Sequence, residues 1–351
     1  MINAVPINSK IQPLCPVFGE CGGCQHQDIS YPEELQIKEA SLRKLFRETL
    51  SIEGDVVNPI VASPQEYHYR NRIDLRVVKN KVGEIFIGFT PEGTKHVVPI
   101  EACPIALPAI SRSIPAISRQ VKETLLPRYR NANLVIRTGD EGSVRWGGIG
   151  RRSLVLNEPD YFWTEIHGKK IFYSLDTFFQ ANLSILPLLM EQIAGLSIFT
   201  GSTVFFDLYG GVGLFGICLA DKVKRVVLVE ENVHSLKVAH HNIRQNSLAA
   251  FDIVEGRVED KLADCLSSAA GQTKVAMIDP PRAGLSPEAA KILIAARELD
   301  HLLYLSCHPE TLVRDLNGFQ QNGWQIKKII PFDFFPRTKH LETLVLLNPQ
   351  R

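Results

Sequence analysis

The chain has 351 residues, 45% of them hydrophobic and 22% charged, with a net charge of +1 at neutral pH. That length allows two or three domains with cores of their own, and the composition is that of an ordinary globular protein. No apolar run of about 20 residues is present, so no helical membrane span is expected; residues 1–6 lack a signal-peptide pattern, so a cytoplasmic location is expected.

The near-neutral total carries no global nucleic-acid signature, but the charge is uneven. Between positions 119 and 152 there are eight Lys or Arg against three acids, and Arg70, Arg72 and Arg76 form a second cluster. Either patch could meet phosphates, or be a solvated basic face. Seven cysteines, an odd number, argue against a disulfide framework. Four of them, Cys15, Cys21, Cys24 and Cys103, lie in the first third.

In chain order, residues 1–27 hold little periodic structure. Residues 32–50 read as an amphipathic helix with Leu35, Ala40, Leu42, Leu45 and Phe46 on its apolar face. From about 55 to 175 the pattern is β-rich, with strands expected at 73–78, 85–88, 133–137 and 153–156. Past Phe178, strands and helices alternate. Strands are expected at 204–208, 225–230, 252–255, 275–278, 302–306, 325–331 and 342–347, which predicts a doubly wound, mostly parallel α/β sheet. No helical pattern separates the last two strands, so an antiparallel final hairpin is expected. A seven-stranded Rossmann-like sheet with that ending is the usual core of methyltransferases that use S-adenosylmethionine (SAM).

The chemistry-bearing residues fall at strand ends, where such sheets place their ligands. Gly210, Gly211 and Gly213 follow the first strand of the alternating half and allow a tight turn close to a ligand. Glu230 ends the second strand, where a carboxylate can accept from both hydroxyls of a ribose. Asp279-Pro280-Pro281-Arg282 ends a later strand, its prolines holding Asp279 on a rigid, extended backbone. Related loops with an aromatic fourth residue act on exocyclic amines, so Arg282 makes amine methylation less expected. Ser306-Cys307-His308-Pro309 follows another strand. C5 of uracil is a poor nucleophile until a thiolate adds at C6, and a base must then remove the C5 proton. Cys307 fits the nucleophile; Glu342 or His340 fits the base.

These motifs resemble the RNA uridine-C5 methyltransferase family, which makes 5-methyluridine. The matching stretches are Phe178-Phe-Gln-Ala-Asn182, residues 207–215, 279–285, 306–315 and 335–347. The resemblance implies Cys307 as nucleophile, Glu342 as proton-abstracting base, SAM contacts from Gln180, Tyr209 and Glu230, and Asp279 between cofactor and uracil. The chain departs from the family's pattern at three positions: Gly210 where Cys is frequent, His308 where Asn is frequent, and Leu214 where a polar cofactor contact is frequent.

Cys15, Cys21, Cys24 and Cys103 supply four thiolates, which suit zinc or an iron–sulfur cluster. Spacing alone leaves the two open; the resemblance favours a [4Fe–4S] cluster with a tethering role. Together these expectations divide the chain into an iron–sulfur, β-rich, RNA-contacting domain (1–27 and 52–172), a helix packed on the catalytic domain (28–51) and the SAM-dependent catalytic domain (173–351). Only fourteen residues precede Cys15, so the small RNA-binding barrel of many relatives is expected to be absent. That layout resembles the short bacterial 23S rRNA enzymes, with tRNA as the alternative substrate, and a monomer is expected. A cytosine-C5 RNA methyltransferase uses the same thiol chemistry but usually carries proline, not Ser306, before a nucleophilic cysteine. A non-catalytic iron–sulfur RNA-binding protein would not need Cys307, Glu342 and Asp279 together. A flavin-dependent methylase would show a dinucleotide fingerprint near the N-terminus, and none is present.

Overall fold

The computed structural model of the chain describes residues 10–126, 128–148 and 154–350. Its larger part is a seven-stranded sheet alternating with helices: β8 (Val204–Leu208), α4 (Leu214–Leu219), β9 (Arg225–Glu230), α5 (Val233–Gln245), β10 (Phe251–Glu255), α6 (Val258–Ser267), β11 (Lys274–Ile278), α7 (Pro287–Ala295), β12 (His301–Ser306), α8 (Pro309–Gln321), β13 (Trp324–Phe332) and β14 (Glu342–Pro349). The strand order is β10-β9-β8-β11-β12-β14-β13. The first five are parallel, and β14 runs antiparallel between β12 and β13. The expected final hairpin is therefore present, with its second strand inserted next to β12.

The sheet is apolar on both faces, which is why its strands read as hydrophobic runs rather than alternations. Phe206 and Leu208 point into one core with Ala276, Tyr304 and Val345, whereas Phe205 points into the other with Met277, Leu303 and Leu344. Burying each such side chain contributes about 1.5–3 kcal/mol. The order reverses between β8 and β11, and the ends of these two strands form the crevice in which doubly wound folds bind ligands.

The smaller part precedes the sheet: β1 (Arg72–Lys79), β2 (Ile85–Phe89), β3 (Val98–Pro99), α2 (Pro108–Thr124), β4 (Asn131–Arg137) and β5 (Arg145–Gly147). Its strands form a five-stranded antiparallel sheet in the order β3-β2-β1-β4-β5. Ile73, Leu75 and Val77 alternate inward and meet Ile110, Ile114, Ile117 and Val121 of α2, with Cys103 in the same core. The stretch 55–175 is therefore not uniformly β-rich. The strand expected at 153–156 is not formed either: Ser153 lies outside the described residues, and Leu154, Val155 and Leu156 are in no strand.

A hairpin of β6 (Phe162–Ile166) and β7 (Lys169–Tyr173) joins the core of the large sheet, as does α3 (Leu186–Ala194). The turn of the hairpin is His167-Gly168, with φ of 48° and 77°, the positive pair a two-residue hairpin requires.

The helix expected at 32–50 is α1 (Tyr31–Leu50), capped by Ser30, whose hydroxyl accepts from the Glu33 N–H. Leu42, Phe46 and Leu50 pack into the large core and α1 lies against α8. Its buried stripe differs from the expected one, because Ala40 is exposed while Glu34 and Lys38 are buried. The two are held there by an ion pair of 2.7 Å, and Lys38 makes a second, also 2.7 Å, to Asp333. No helix among the described residues is long and apolar enough to cross a membrane.

Candidate active site

The end of β8 leads into Tyr209-Gly-Gly-Val-Gly213. Tyr209 has φ 60°, Gly211 55° and Gly213 90°, so the chain turns through the left-handed region and Gly213 starts α4. The loop is fastened at two carboxylates. Asp207 accepts from the Gly216 N–H at 2.8 Å, and Glu230 accepts from the Gly211 N–H at 2.8 Å. The other Glu230 oxygen accepts from the Glu231 and Asn232 N–H groups at 3.0 and 2.7 Å, which fixes the carboxylate at the crevice. Burial raises the Asp207 carboxyl to about 8, with Asp279 and Glu230 adding to the shift.

Gly210 has a local reason: a Cβ there would lie 2.5 Å from Leu228 Cγ and 2.9 Å from the Asp207 carbonyl oxygen. With Leu228 on the neighbouring strand, a larger residue has no room. At Gly211, by contrast, a Cβ would meet nothing within 4 Å, so that side of the turn is open.

Beside the turn lies a cavity of about 510 Å³ lined by Tyr209, Glu230, Gly256, Glu259, Pro281 and Ser286, among others. Its size is that of a small-molecule site. Gly256 and Glu259 follow β10 and were not anticipated; their position just past a strand end in the crevice was the available signal. Glu259 accepts from the Ser286 hydroxyl at 2.9 Å and pairs with Arg257, which ties the α6 and α7 sides of the cavity together.

The second half of the site follows from strand register. Ser306 of β12 pairs with Thr343 of β14. One residue further, Cys307 comes opposite Glu342, the thiol leaving one strand as the carboxyl enters its antiparallel neighbour. Asp279 leaves β11, which pairs with β12, and accepts from the Gln180 amide at 3.0 Å.

The three acidic groups act on one another. Burial pushes the Cys307 thiol up to about 12; Glu342 and Asp279 add to this and Arg282 opposes it. Glu342, only 2% exposed, is held well above the usual carboxylate range by burial and then by Asp279. Burial raises Asp279 to about 7, against the Gln180 hydrogen bond. Without ligands at neutral pH, the thiol is protonated and the two carboxyls carry less charge than free ones.

His340, the other base considered, faces a different environment. Its Nδ1 lies 3.5 Å from the Arg282 guanidinium, and burial with Arg282, Lys339, Arg70 and Lys38 lowers it to about 4. It lines a second cavity, of about 660 Å³, with Arg282, His308 and Lys339. His308 caps α8, its Nδ1 accepting from the Thr311 N–H at 3.4 Å, and the Thr311 hydroxyl donates to the Arg282 carbonyl at 3.2 Å. The departure from Asn at 308 thus keeps an N-terminal cap, which links the nucleophile loop to the Asp-Pro-Pro-Arg loop. Phe178, two residues before Gln180, is 68% exposed.

The four N-terminal cysteines are free thiols, and Cys103 is buried. They lie near one another: burial above all raises Cys24 to about 12, against a Gln27 hydrogen bond, with Cys103, Cys21 and Cys15 contributing to the rise. Among the described residues, no three His, Cys, Asp or Glu side chains are placed to share a metal ion.

The seven-stranded sheet with its reversed strand, the glycine turn and the strand-end carboxylate define a SAM-dependent methyltransferase of the Rossmann-like class. Residues 150–350, more than half of the chain, match the family model described as tRNA (Uracil-5-)-methyltransferase, and the chain belongs to that family. An uncharacterized RNA methyltransferase of Clostridium tetani is 28% identical over 390 residues, covering 97% of this chain and 84% of the relative. Another, from Thermosynechococcus vestitus, is 29% identical and covers 98% and 85%. Among solved structures, the Pyrococcus abyssi tRNA (uracil-54, C5)-methyltransferase in complex with S-adenosyl-L-homocysteine shares the fold. Its TM-score is 0.69 at 23% identity, covering 93% of this chain and 85% of that one.

Proposed function

We propose that the protein methylates C5 of a uridine in RNA, with Cys307 as nucleophile and Glu342 as base. The observation that carries this reading is the convergence of Cys307, Glu342 and Asp279 on three neighbouring strands at the crevice edge. SAM, when bound, supplies the methyl group; the open side of the glycine turn, the cavity beside Tyr209 and the fixed Glu230 carboxylate fit it. Gln180 holds Asp279 in place at the junction of the two halves of the site.

In this mechanism the Cys307 thiolate forms a bond to C6, and the C5–C6 π electrons move toward C5 and O4 of the ring. C5 attacks the methyl carbon, whose bond to sulfur breaks. Glu342 then takes the C5 proton, the C5–C6 double bond re-forms, and the Cys307–C6 bond breaks to return the thiolate. Burial and mutual repulsion oppose ionisation of these three acidic groups in the ligand-free site. A cationic methyl donor favours their ionised forms, so ligand binding itself would ready the nucleophile and base.

Cys15, Cys21, Cys24 and Cys103 would hold a [4Fe–4S] cluster, whose chemistry here is that of a tether rather than an electron carrier, since methyl transfer consumes no electron. Support comes from the donor set. The four thiols lie near enough to feel one another's charge, as the donors of one metal group must. The β-rich part with its arginines would contact the RNA.

The cluster-bearing layout supports 23S rRNA as substrate. The fold shared with a tRNA enzyme supports tRNA as the second reading. The test is tritium release from rRNA and tRNA transcripts labelled at uridine C5, with protein purified without oxygen. Release that requires both SAM and Cys307 is expected, and the responding transcript names the substrate. No release from either, with SAM binding intact, overturns the assignment in favour of a cytosine target or a non-catalytic RNA binder.

A further inference from the structure

The loop 333–341 leads into Glu342, and most of its hydrogen bonds to other parts of the chain are made with residues 25–69. Arg337 is the centre of that contact and is only 3% exposed. Its carbonyl accepts from the Gln25 and His26 N–H groups at 2.9 and 3.1 Å, one and two residues past Cys24. Its own N–H donates to Glu34 at 2.7 Å, and its guanidinium donates to the His26 and Ile29 carbonyls at 3.3 and 2.9 Å and to Glu66. The guanidinium also lies 4.8 Å from the Tyr67 ring centre. Next to it, the Lys339 N–H donates to the Gln25 side chain at 3.0 Å, and the Tyr69 hydroxyl donates to the Pro336 carbonyl.

Arg337 has φ 69°, a left-handed conformation that a residue with a side chain adopts at a cost. A buried arginine in a strained backbone, donating to two carbonyls of the cysteine segment, is an expensive way to close a loop. It is explained if the geometry of that loop fixes the position of Glu342, the first residue beyond it.

We propose that Arg337 is a positioning residue, clamping the cysteine-bearing segment onto the loop that sets Glu342, so that order around Cys24 is transmitted to proton abstraction. The inference rests on Glu342 being the base. On that mechanism, a displaced base stalls the reaction after methyl transfer, with C5 already methylated and Cys307 still bonded to C6. The lining of the cavity beside Tyr209 and Glu230, which fits SAM, includes no residue of the clamp.

The experiment compares wild type, Glu342→Gln, Arg337→Lys and Gln25→Ala as complete, anaerobically purified proteins on the responding transcript. It reads the methylated, denaturant-stable protein–RNA adduct, kcat, KM for SAM, and amide exchange at residues 25, 26 and 337–341. Glu342→Gln is expected to accumulate adduct. Arg337→Lys keeps the charge but loses the fork; it is expected to lower kcat by about ten- to a hundredfold through misplacement of the base, with KM for SAM unchanged. It should accumulate part of the same adduct and exchange faster at Gln25 and His26. Gln25→Ala, which removes the acceptor for the Lys339 N–H and the amide donor to the Gly22 carbonyl, should show the same pattern more weakly and decides the matter if Arg337→Lys does not fold.

Faster exchange with wild-type kcat, or a lower kcat with no adduct while Glu342→Gln does accumulate it, overturns the inference. So does a Gln25→Ala protein with wild-type exchange, kcat and adduct level when Arg337→Lys does not fold. Absence of adduct in Glu342→Gln instead removes the base assignment on which the inference stands.

Discussion

The two sheets of this molecule solve the burial problem in different ways. The seven-stranded sheet is covered on both faces, so its strands are continuous apolar runs and its polar residues are pushed to the strand ends. The five-stranded sheet packs one face on α2, so apolar and polar residues alternate and charged groups such as Arg76 stay on the open face. The first sheet concentrates chemistry at one edge; the second spreads it over a surface. Where the two meet, Val135 of β4 joins the apolar core of the large sheet, and Arg137, two residues on, donates to the Ser174 and Thr177 carbonyls.

The comparison can be broken first inside the large sheet. Native Asp207 has its carboxyl raised to about 8, whereas an unfolded chain ionises near 3.8. The native state therefore holds the extra proton, and this group's favourable contribution is complete below pH 4 and is lost as pH rises through 8. The full loss is on the order of 6 kcal/mol, about 1.4 kcal/mol for each pH unit of that window. Asp207→Asn should remove that slope, whatever its offset at pH 5; urea unfolding at pH 5, 6, 7 and 8 checks it. An unchanged slope would mean that the strand-end carboxyl is not a buried acid.

At the junction, Arg137 is fully buried and donates to the Ser174 and Thr177 carbonyls at 2.7 Å while its guanidinium lies 4.6 Å from the Tyr173 ring centre. Arg137→Leu should cost about 3 kcal/mol, because the carbonyls stay buried without donors. It should also raise KM for SAM, since the loop it holds leads to Gln180. A destabilised protein with normal KM would make the junction purely structural. The smallest effect is expected at Gly210. Gly210→Ala should cost about 2 kcal/mol by overpacking against Leu228, and Leu228→Val should restore part of it. Thermal melts of the two single variants and the double variant measure that coupling.

The same contrast accounts for what the sequence revealed. Strands such as 204–208 and 225–230 were legible to the residue because a doubly buried strand is a nearly continuous apolar run, and Cys307, Glu342 and Asp279 stood out at the ends of other such strands. The small sheet was only partly legible. Its helix α2 carries Ile110, Ile114, Ile117 and Val121 at helical spacing, but Pro115 inside it spoke against a helix. The β6–β7 hairpin was missed because His167, at a positive φ, is not a typical turn residue. Glu34, Lys38 and Arg337 were illegible for a different reason: their burial depends on partners up to about three hundred residues away, which no local pattern records.

The reversed strand β14 has a consequence for how such an enzyme can change over time. In an all-parallel sheet the catalytic edge receives only strand exits, each committed to the helix after it. The antiparallel β14 brings a strand entrance to the same edge, fed by the loop from its hairpin partner β13. On the proposed mechanism, substitutions in that feeding loop can retune the base while the cofactor cradle and the nucleophile stay as they are. The proposed roles thus fall on two inheritable parts, an exit side for binding and attack and an entrance side for finishing the reaction.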